Sequence, residues 1–179
     1  MVEIIFESHA TTVDNEAKLS SGWYDAELSE LGIKQAKELG ERYEGQHIDA
    51  VFCSDMQRSY KTAEIAFGGR DIHIIKDKRL RECDYGDLTR HVDTEIKQEK
   101  PNRISVPYPK GESYEQATTR IKQFLSELAG EYNGKRVMVI GHRATQYGLE
   151  HWINGVPLPE TVIAPWQWQT GWTYVLNTV

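Results

Sequence analysis

The chain has 179 residues, of which 39% are hydrophobic and 27% are charged. These are the proportions of an ordinary globular protein, and they argue against a disordered chain. No apolar run approaches the roughly 20 residues of a membrane-spanning helix. The 21 basic and 27 acidic residues give a net charge of −6, which disfavours nucleic acid or an anionic membrane surface as a partner.

The sequence carries two cysteines, Cys53 and Cys83. No paired spacing of cysteine and histidine accompanies them, so we expect reduced thiols and neither a disulfide nor a metal site. The N-terminal segment 1–6 is too short and too acidic for a signal peptide. We therefore expect a cytoplasmic protein without a cofactor, and the sequence does not indicate its oligomeric state.

Short apolar runs and helical apolar patterns alternate along the chain. Runs rich in β-branched residues predict strands at 2–6, 48–53, 72–75 and 136–140 and a last, edge strand at 173–176. Helices are predicted at 93–99 and 144–153, and behind the cap residues Ser29, Asp55 and Ser113. The helix after Ser29 is expected to carry Leu31 and Leu39 on its apolar side. This alternation predicts an α/β fold with a mainly parallel sheet.

One domain is expected over residues 1–179, because the chain contains no repeat, linker or low-complexity tract. A loop-rich segment at 77–111 interrupts the alternation of strands and helices. It contains one modest predicted helix and three prolines, Pro101, Pro107 and Pro109. Insertions of this length inside a compact domain are more often functional than idle. We interpret the segment as a short lid.

Titratable or cationic side chains follow each of the first four predicted strands. In open α/β sheets, ligands bind outside the carboxyl ends of the strands. The residues placed there are His9, Arg58, Glu82, His142 and Arg143. Each alone is typical of a turn or of an exposed surface, but chance rarely places such a residue after every strand.

This mixture of residue types indicates phosphoryl transfer. A neutral imidazole is a competent nucleophile toward phosphorus. A second imidazole and a guanidinium can hold the oxygens of the transferring group as their charge spreads. A carboxylic acid can protonate the leaving oxygen and then activate water. No metal is required for this chemistry.

Six short motifs occur in an order and at a spacing that resemble the histidine phosphatase superfamily, which includes the cofactor-dependent phosphoglycerate mutases. They are Ser8-His9-Ala10-Thr11-Thr12 with Asn15, Ser21-Gly22-Trp23-Tyr24-Asp25, Ser54-Asp55-Met56-Gln57-Arg58, Glu82-Cys83-Asp84-Tyr85-Gly86, Gly111-Glu112-Ser113 and Gly141-His142. The resemblance covers nearly the whole chain. It implies a three-layer α/β/α sandwich whose mainly parallel central sheet has an antiparallel edge strand.

The resemblance also implies roles for individual residues. His9 would be the nucleophile that becomes phosphorylated, and His142 would be the second histidine of the pocket. Arg58 would clamp the phosphate, and Glu82 would be the general acid and base. The residues expected to line the phosphate or substrate side are Ser8, Thr11, Asn15, Ser21, Gly22 and Arg143.

The chain departs from the superfamily's pattern at two positions near the nucleophile. Ser8 stands where the superfamily has its first arginine, and Ala10 stands where it has a glycine. A missing guanidinium removes a charge-assisted contact worth about 1.5–3 kcal/mol. Glu7 cannot replace it, because neighbouring residues of a strand point to opposite faces. We hypothesise that Arg143 supplies the missing charge; the alternative is that Arg143 turns outward to solvent.

The short predicted lid favours hydrolysis, because a mutase must keep water away from the phosphorylated histidine. We therefore expect a phosphoric monoester hydrolase of the histidine acid phosphatase type, acting on a small phosphorylated substrate without a metal. Two alternatives stay open. The chain is a mutase of the phosphoglycerate type, or Ser8 makes it a weakly active or inactive module that binds phosphorylated ligands.

Aromatic residues cluster near the C-terminus, and we expect them to pack on the edge of the sheet. They are Trp152, Trp166, Trp168, Trp172 and Tyr174. The alternative is that Trp166 or Trp168 forms part of the substrate wall. Trp23 and Tyr24, which we expect beside the proposed pocket, are the better candidates for contacting the leaving group.

Overall fold

The computed structural model describes residues 1–177; Thr178 and Val179, the end of the domain predicted over 1–179, lie outside the described residues. The five strands are β1 (Val2–Ser8), β2 (Ala50–Cys53), β3 (His73–Lys76), β4 (Arg136–Gly141) and β5 (Trp172–Leu176). They form one sheet in the order β3-β2-β4-β1-β5. Four strands are parallel, and β5 is antiparallel to β1 at the edge. The predicted sheet is confirmed.

Within residues 1–177, seven α-helices connect or follow the strands. They are α1 (Val13–Glu16), α2 (Glu30–Arg42), α3 (Gln57–Phe67), α4 (Asp93–Glu99), α5 (Tyr114–Glu131), α6 (Arg143–Trp152) and α7 (Leu158–Ile163). The sequence did not predict α1 and α7, because four and six residues are too few to show a helical period. Among residues 1–177, none of the helices combines the length and the apolarity that crossing a bilayer demands.

Helices cover both faces of the sheet. On one face, α5 and α6 bury a cluster that includes Ile4, Phe6, Val139, Ile121, Phe124 and Leu149. On the other face, α2 and α3 bury a cluster that includes Ile5, Met138, Ile140, Leu39 and Phe67. Neighbouring residues such as Ile5 and Phe6 separate to opposite faces because strand side chains alternate. The three-layer α/β/α sandwich is therefore confirmed.

The segment 77–111 is anchored by a third apolar cluster. Its members include Cys83, Tyr85, Ile96 and Tyr108 from the segment and Tyr114, Tyr147, Leu158 and Val162 from α5, α6 and α7. Short 3-10 turns at Lys78–Leu80, Gly86–Leu88 and Lys100–Arg103 flank α4. The segment thus packs against the helical layer instead of extending into solvent.

Two expectations about the helices are wrong. Asp55 does not cap α3, whose N-cap is Met56 without a side-chain cap bond. Its carboxylate instead accepts two hydrogen bonds of 2.7 Å from the guanidinium of Arg81, because a bidentate ion pair outweighs a cap. Leu31, which was expected on the apolar side of α2, is instead 49% exposed. The predicted caps Ser29 and Ser113 do accept hydrogen bonds from the first turns of α2 and α5.

Candidate active site

A cavity of about 1130 Å³ opens at the carboxyl ends of β1 and β4. All ten residues that the sequence assigned to the site line it. They are Ser8, His9, Thr11, Asn15, Ser21, Gly22, Arg58, Glu82, His142 and Arg143. Parallel strands bring their carboxyl ends to one edge, which is why distant segments meet here.

His9 directly follows β1 and is held by two hydrogen bonds. Its backbone N–H donates to the carbonyl of Gly141 at 3.0 Å, and its Nδ1 lies 2.7 Å from the carbonyl of Ala10. A carbonyl only accepts, so Nδ1 carries the proton and the lone pair lies on Nε2. Burial, reinforced by the charge of Arg58, lowers the pKa of His9 to about 3. The imidazole is therefore neutral at pH 7, with Nε2 free to attack.

His142 follows β4 and lies beside His9, with ring centroids 5.1 Å apart. Its Nε2 is 2.6 Å from the hydroxyl of Ser54. Within the described part of the chain, no protein atom hydrogen-bonds its buried Nδ1. Burial, followed by the charge of Arg58, lowers the pKa of His142 well below its ordinary value. His142 is thus a second neutral imidazole.

Arg58 lies in the first turn of α3 and is 2% exposed. Its guanidinium donates to the carbonyls of Gly22 at 2.7 Å and Tyr24 at 3.0 Å. Gly22 has a φ of +51°, and a Cβ there would lie 2.9 Å from a ring carbon of Tyr85. Only glycine fits this position without strain. The loop therefore fixes the guanidinium by backbone contacts and leaves its remaining N–H donors for a ligand.

Glu82 follows the 3-10 turn after β3, and its carboxyl group lies at the N-terminus of α6. Oε1 accepts the backbone N–H groups of Cys83 at 2.8 Å and Ala144 at 3.1 Å, and Oε2 accepts that of Arg143 at 3.1 Å. Helix N-termini favour such contacts because their first N–H groups lack intrahelical partners. These bonds hold the carboxyl group in the cavity wall.

Trp23 contacts Glu82 and is not part of the described cavity lining. Its Nε1 donates to the Glu82 carbonyl at 2.7 Å, and its ring lies under the Arg81 guanidinium at 4.7 Å. Tyr24 likewise packs against Arg90, at 4.3 Å. Neither residue lines the cavity, and contact of these two aromatic residues with the leaving group stays a prediction.

The comparison with known proteins settles the family. Residues 4–173 match the histidine phosphatase superfamily (branch 1). The chain belongs to that superfamily. Phosphoserine phosphatase 1 of Hydrogenobacter thermophilus is 28% identical over 166 residues, covering 88% of this chain and 79% of that protein. A probable phosphoglycerate mutase of Cronobacter sakazakii is 30% identical over 165 residues, covering 88% and 77%.

A similar solved structure, Bacillus stearothermophilus YhfR, has a TM-score of 0.82 and 27% identity, covering 95% of this chain and 88% of that one. The predicted superfamily is thereby confirmed. The superfamily relatives include both phosphatases and phosphoglycerate mutases.

Asn15 and Ser21, two other predicted site residues, already form side-chain hydrogen bonds within the protein. Asn15 Oδ1 accepts the backbone N–H of Thr12 at 3.0 Å, so Asn15 offers the cavity the amide N–H donors. Ser21 donates to the carboxylate of Asp14 at 3.1 Å. Asp14 is buried and also pairs with Arg90, at 3.1 Å.

Arg143, which follows the second histidine of the superfamily motif, lies at the cavity wall. Its guanidinium is 5.0 Å from the ring of Tyr147 and 5.2 Å from the ring of Trp166. One Nη donates to Gln146 Oε1 at 2.6 Å. The side chain is therefore held between two aromatic rings and beside the cavity.

Several cavity residues were missed by the sequence reasoning. They include Lys18, Gln35, Lys97, Lys100 and the segment 162–165. For Trp166 and Trp168 the sequence left two possibilities, a place in the substrate wall and packing on the sheet edge. Trp172 does pack there, 5.7 Å from Phe6, whereas Trp166 and Trp168 line the cavity.

Proposed function

We propose that this chain is a metal-independent phosphomonoester hydrolase of the histidine acid phosphatase type that works through a phosphohistidine on His9. The observation that carries the proposal is the neutral His9 ring, whose Nδ1 is bound to a carbonyl and whose Nε2 is left to attack. His142, Arg58 and Glu82 share the same cavity. The superfamily and its phosphatase relatives support hydrolysis.

In the first step, Nε2 of His9 attacks phosphorus and the bond between phosphorus and the leaving oxygen breaks. The Glu82 carboxyl group gives its proton to that oxygen, so the product leaves as an alcohol. A protonated carboxyl group still accepts hydrogen bonds, and Oε2, with one N–H contact, is the oxygen that would carry the proton. The guanidinium of Arg58 stabilises the charge that spreads over the equatorial oxygens.

In the second step, the Glu82 carboxylate takes a proton from water as the water oxygen attacks phosphorus. The bond between phosphorus and His9 breaks, and its electron pair returns to Nε2. Inorganic phosphate leaves, and Glu82 is protonated again for the next cycle. The open cavity supports this step, because water must reach the phosphohistidine.

His142 contributes as a neutral hydrogen-bond donor in this proposal. The Ser54 hydroxyl oxygen accepts the backbone N–H of Met56 at 3.3 Å, so its own proton can be donated to His142 Nε2. That tautomer places the imidazole proton on Nδ1, the ring nitrogen without a protein partner among residues 1–177. A neutral imidazole N–H can then bind a phosphoryl oxygen without carrying a full charge.

Arg143 is proposed to replace the arginine that the superfamily places where this chain has Ser8. The first N–H of α6 and the Arg143 guanidinium both belong to the cavity wall that holds Glu82. The chain would then keep two guanidinium groups, Arg58 and Arg143, for one phosphate. A mutase activity is the second candidate, because one relative with 30% identity is a probable phosphoglycerate mutase.

The proposal is tested by measuring release of inorganic phosphate from phosphoserine and from 3-phosphoglycerate. His9→Gln should lower the rate by about 1000-fold or more, as expected when a nucleophile is removed. His73→Gln is the matched control, because His73 is exposed on β3. Equal hydrolysis by wild type and His9→Gln would contradict the proposal. Transfer of phosphate between two positions of phosphoglycerate, without its release, would show the mutase instead.

A further inference from the structure

The cavity extends well beyond the space that a reacting phosphate needs. Its volume of about 1130 Å³ exceeds the roughly 300–1000 Å³ that is typical of sites for small molecules. A phosphoryl group is much smaller than this volume. The remainder is available to the leaving group, so the shape of this part selects the substrate.

One wall of that remaining space is aromatic. It is formed by the segment after α7, where Trp166 is 44% exposed and Trp168 is 58% exposed. Large aromatic side chains that stay exposed beside a cavity are typical of binding surfaces, since burying them would otherwise stabilise the fold. We call Trp166 and Trp168 the tryptophan wall.

Both rings of the tryptophan wall lie close to guanidinium groups. The guanidinium of Arg143 lies 5.2 Å from the centroid of Trp166 and is itself packed on Tyr147. The guanidinium of Arg42 lies 5.9 Å from the centroid of Trp168. Such contacts hold a ring in place, so a planar ligand finds a surface that is already ordered.

Cationic side chains also line the cavity. Lys97 and Lys100, from α4 and the turn after it, line the cavity together with Lys18. Lys100 donates to the hydroxyl of Tyr147 at 2.7 Å, and Lys97 pairs with Asp93. These cations attract an anionic ester, and the tryptophan rings offer its leaving group an apolar plane.

We propose that the substrate is the phosphomonoester of an alcohol that carries an aromatic ring system, and that this ring stacks on the tryptophan wall. This inference rests on the proposed phosphatase function and names its substrate class. Stacking of a nucleobase on an aromatic side chain contributes about 5- to 150-fold in affinity and does not depend on which base it is. The tryptophan wall therefore selects the leaving group, whereas His9 and Arg58 act on the phosphate.

A matched pair of esters tests the inference. Adenosine 5′-monophosphate and ribose 5-phosphate carry the same primary phosphate, and only the first has a ring system that can stack. We expect wild type to hydrolyse adenosine 5′-monophosphate with a kcat/KM about 10- to 100-fold higher. Trp166→Ala with Trp168→Ala should bring the ratio of the two kcat/KM values to about 1, because any disturbance of Arg143 beside Trp166 affects both esters alike. Trp152→Phe, on α6, is the matched control and should keep the preference.

Equal kcat/KM for the two esters in wild type overturns the inference and leaves the proposed function intact. The proposed function is tested separately with phosphoserine and 3-phosphoglycerate; if neither ester of this pair is hydrolysed, binding to His9→Gln, followed by tryptophan fluorescence, decides the inference. Tighter binding of adenosine 5′-monophosphate than of ribose 5-phosphate supports the tryptophan wall, and equal binding overturns it.

Discussion

At the scale of single residues, the Ala10 carbonyl selects the nitrogen of His9 that can react. The carbonyl oxygen lies 2.7 Å from Nδ1 of His9 and accepts the proton of that nitrogen. The Ala10 N–H donates to Thr62 Oγ1 at 3.0 Å, and that hydroxyl donates to the Arg58 carbonyl at 2.7 Å. Helix α3 thus orients the backbone at Ala10 and supplies Arg58, so the same helix positions the proposed nucleophile and the proposed phosphate clamp.

The hypothesis that Arg143 compensates for Ser8 is tested by Arg143→Ala. A charge-assisted contact to phosphate contributes about 1.5–3 kcal/mol, so affinity for inorganic phosphate should fall by about 10- to 150-fold. Competitive inhibition of ester hydrolysis by phosphate measures this affinity. Arg103→Ala, which removes a guanidinium paired with Glu99, is the control. A change within about twofold for Arg143→Ala would end the hypothesis.

At the scale of elements, the position of α2 depends on a close approach between helix and loop. A Cβ at Gly32 would lie 1.9 Å from the carbonyl oxygen of Thr11. That carbonyl accepts the backbone N–H of Ser29 at 3.0 Å, and the Thr11 N–H donates to Gln35 at 2.9 Å. The first turns of α2 thereby hold the loop that carries His9.

Gly32→Ala should therefore destabilise the fold and disturb the loop after β1, because the added Cβ would overlap the Thr11 carbonyl oxygen and the backbone would have to move. We expect a loss of about 2 kcal/mol or more in the free energy of unfolding, as for other overpacked positions. Gly130→Ala is the matched control, because nothing lies within 4 Å of a Cβ there. It should stabilise α5 by about 0.5–1 kcal/mol. Urea unfolding measures both, and equal effects would contradict this account of α2.

At the scale of the whole molecule, the site contains two neutral histidines that the unfolded chain would protonate. Burial is the main cause of the lowered pKa of both His9 and His142. Below pH 6.5 the unfolded chain binds protons at these positions and the folded chain does not. Above pH 6.5 both states leave these histidines neutral, and the two residues do not reduce the stability. As pH falls below 6.5 the free energy of unfolding decreases, for His9 until about pH 3.

This linkage predicts a specific effect of His9→Gln on stability. As pH falls from 6.5 to 4, one such histidine lowers the free energy of unfolding by up to about 1.4 kcal/mol for each pH unit. The variant should lose less stability than wild type over this range. Buried Glu7, whose pKa burial raises, is present in both proteins and cancels in the comparison. Parallel pH profiles of urea unfolding would contradict a neutral, buried His9.

Local sequence patterns are enough to predict the sheet and the residues at the ends of its strands. His9, Arg58 and His142 were predictable because each follows a strand or begins the helix after it. Contacts between distant loops leave no such pattern. The bond from Trp23 to the Glu82 carbonyl and the position of Trp166 and Trp168 at the cavity depend on how irregular segments pack, which neither periodicity nor capping encodes.

The proposed mechanism depends on a covalent bond between phosphorus and His9. An aryl phosphate ester needs no protonation of its leaving group, so Glu82→Gln should still be phosphorylated by it and then react slowly with water. Rapid mixing, alkaline quenching and peptide mass spectrometry locate the phosphoryl group. We predict one phosphoryl group per chain on His9 and none in His9→Gln. Turnover by wild type with no phosphorylated His9 in Glu82→Gln, or phosphorylation at another residue, would contradict the mechanism.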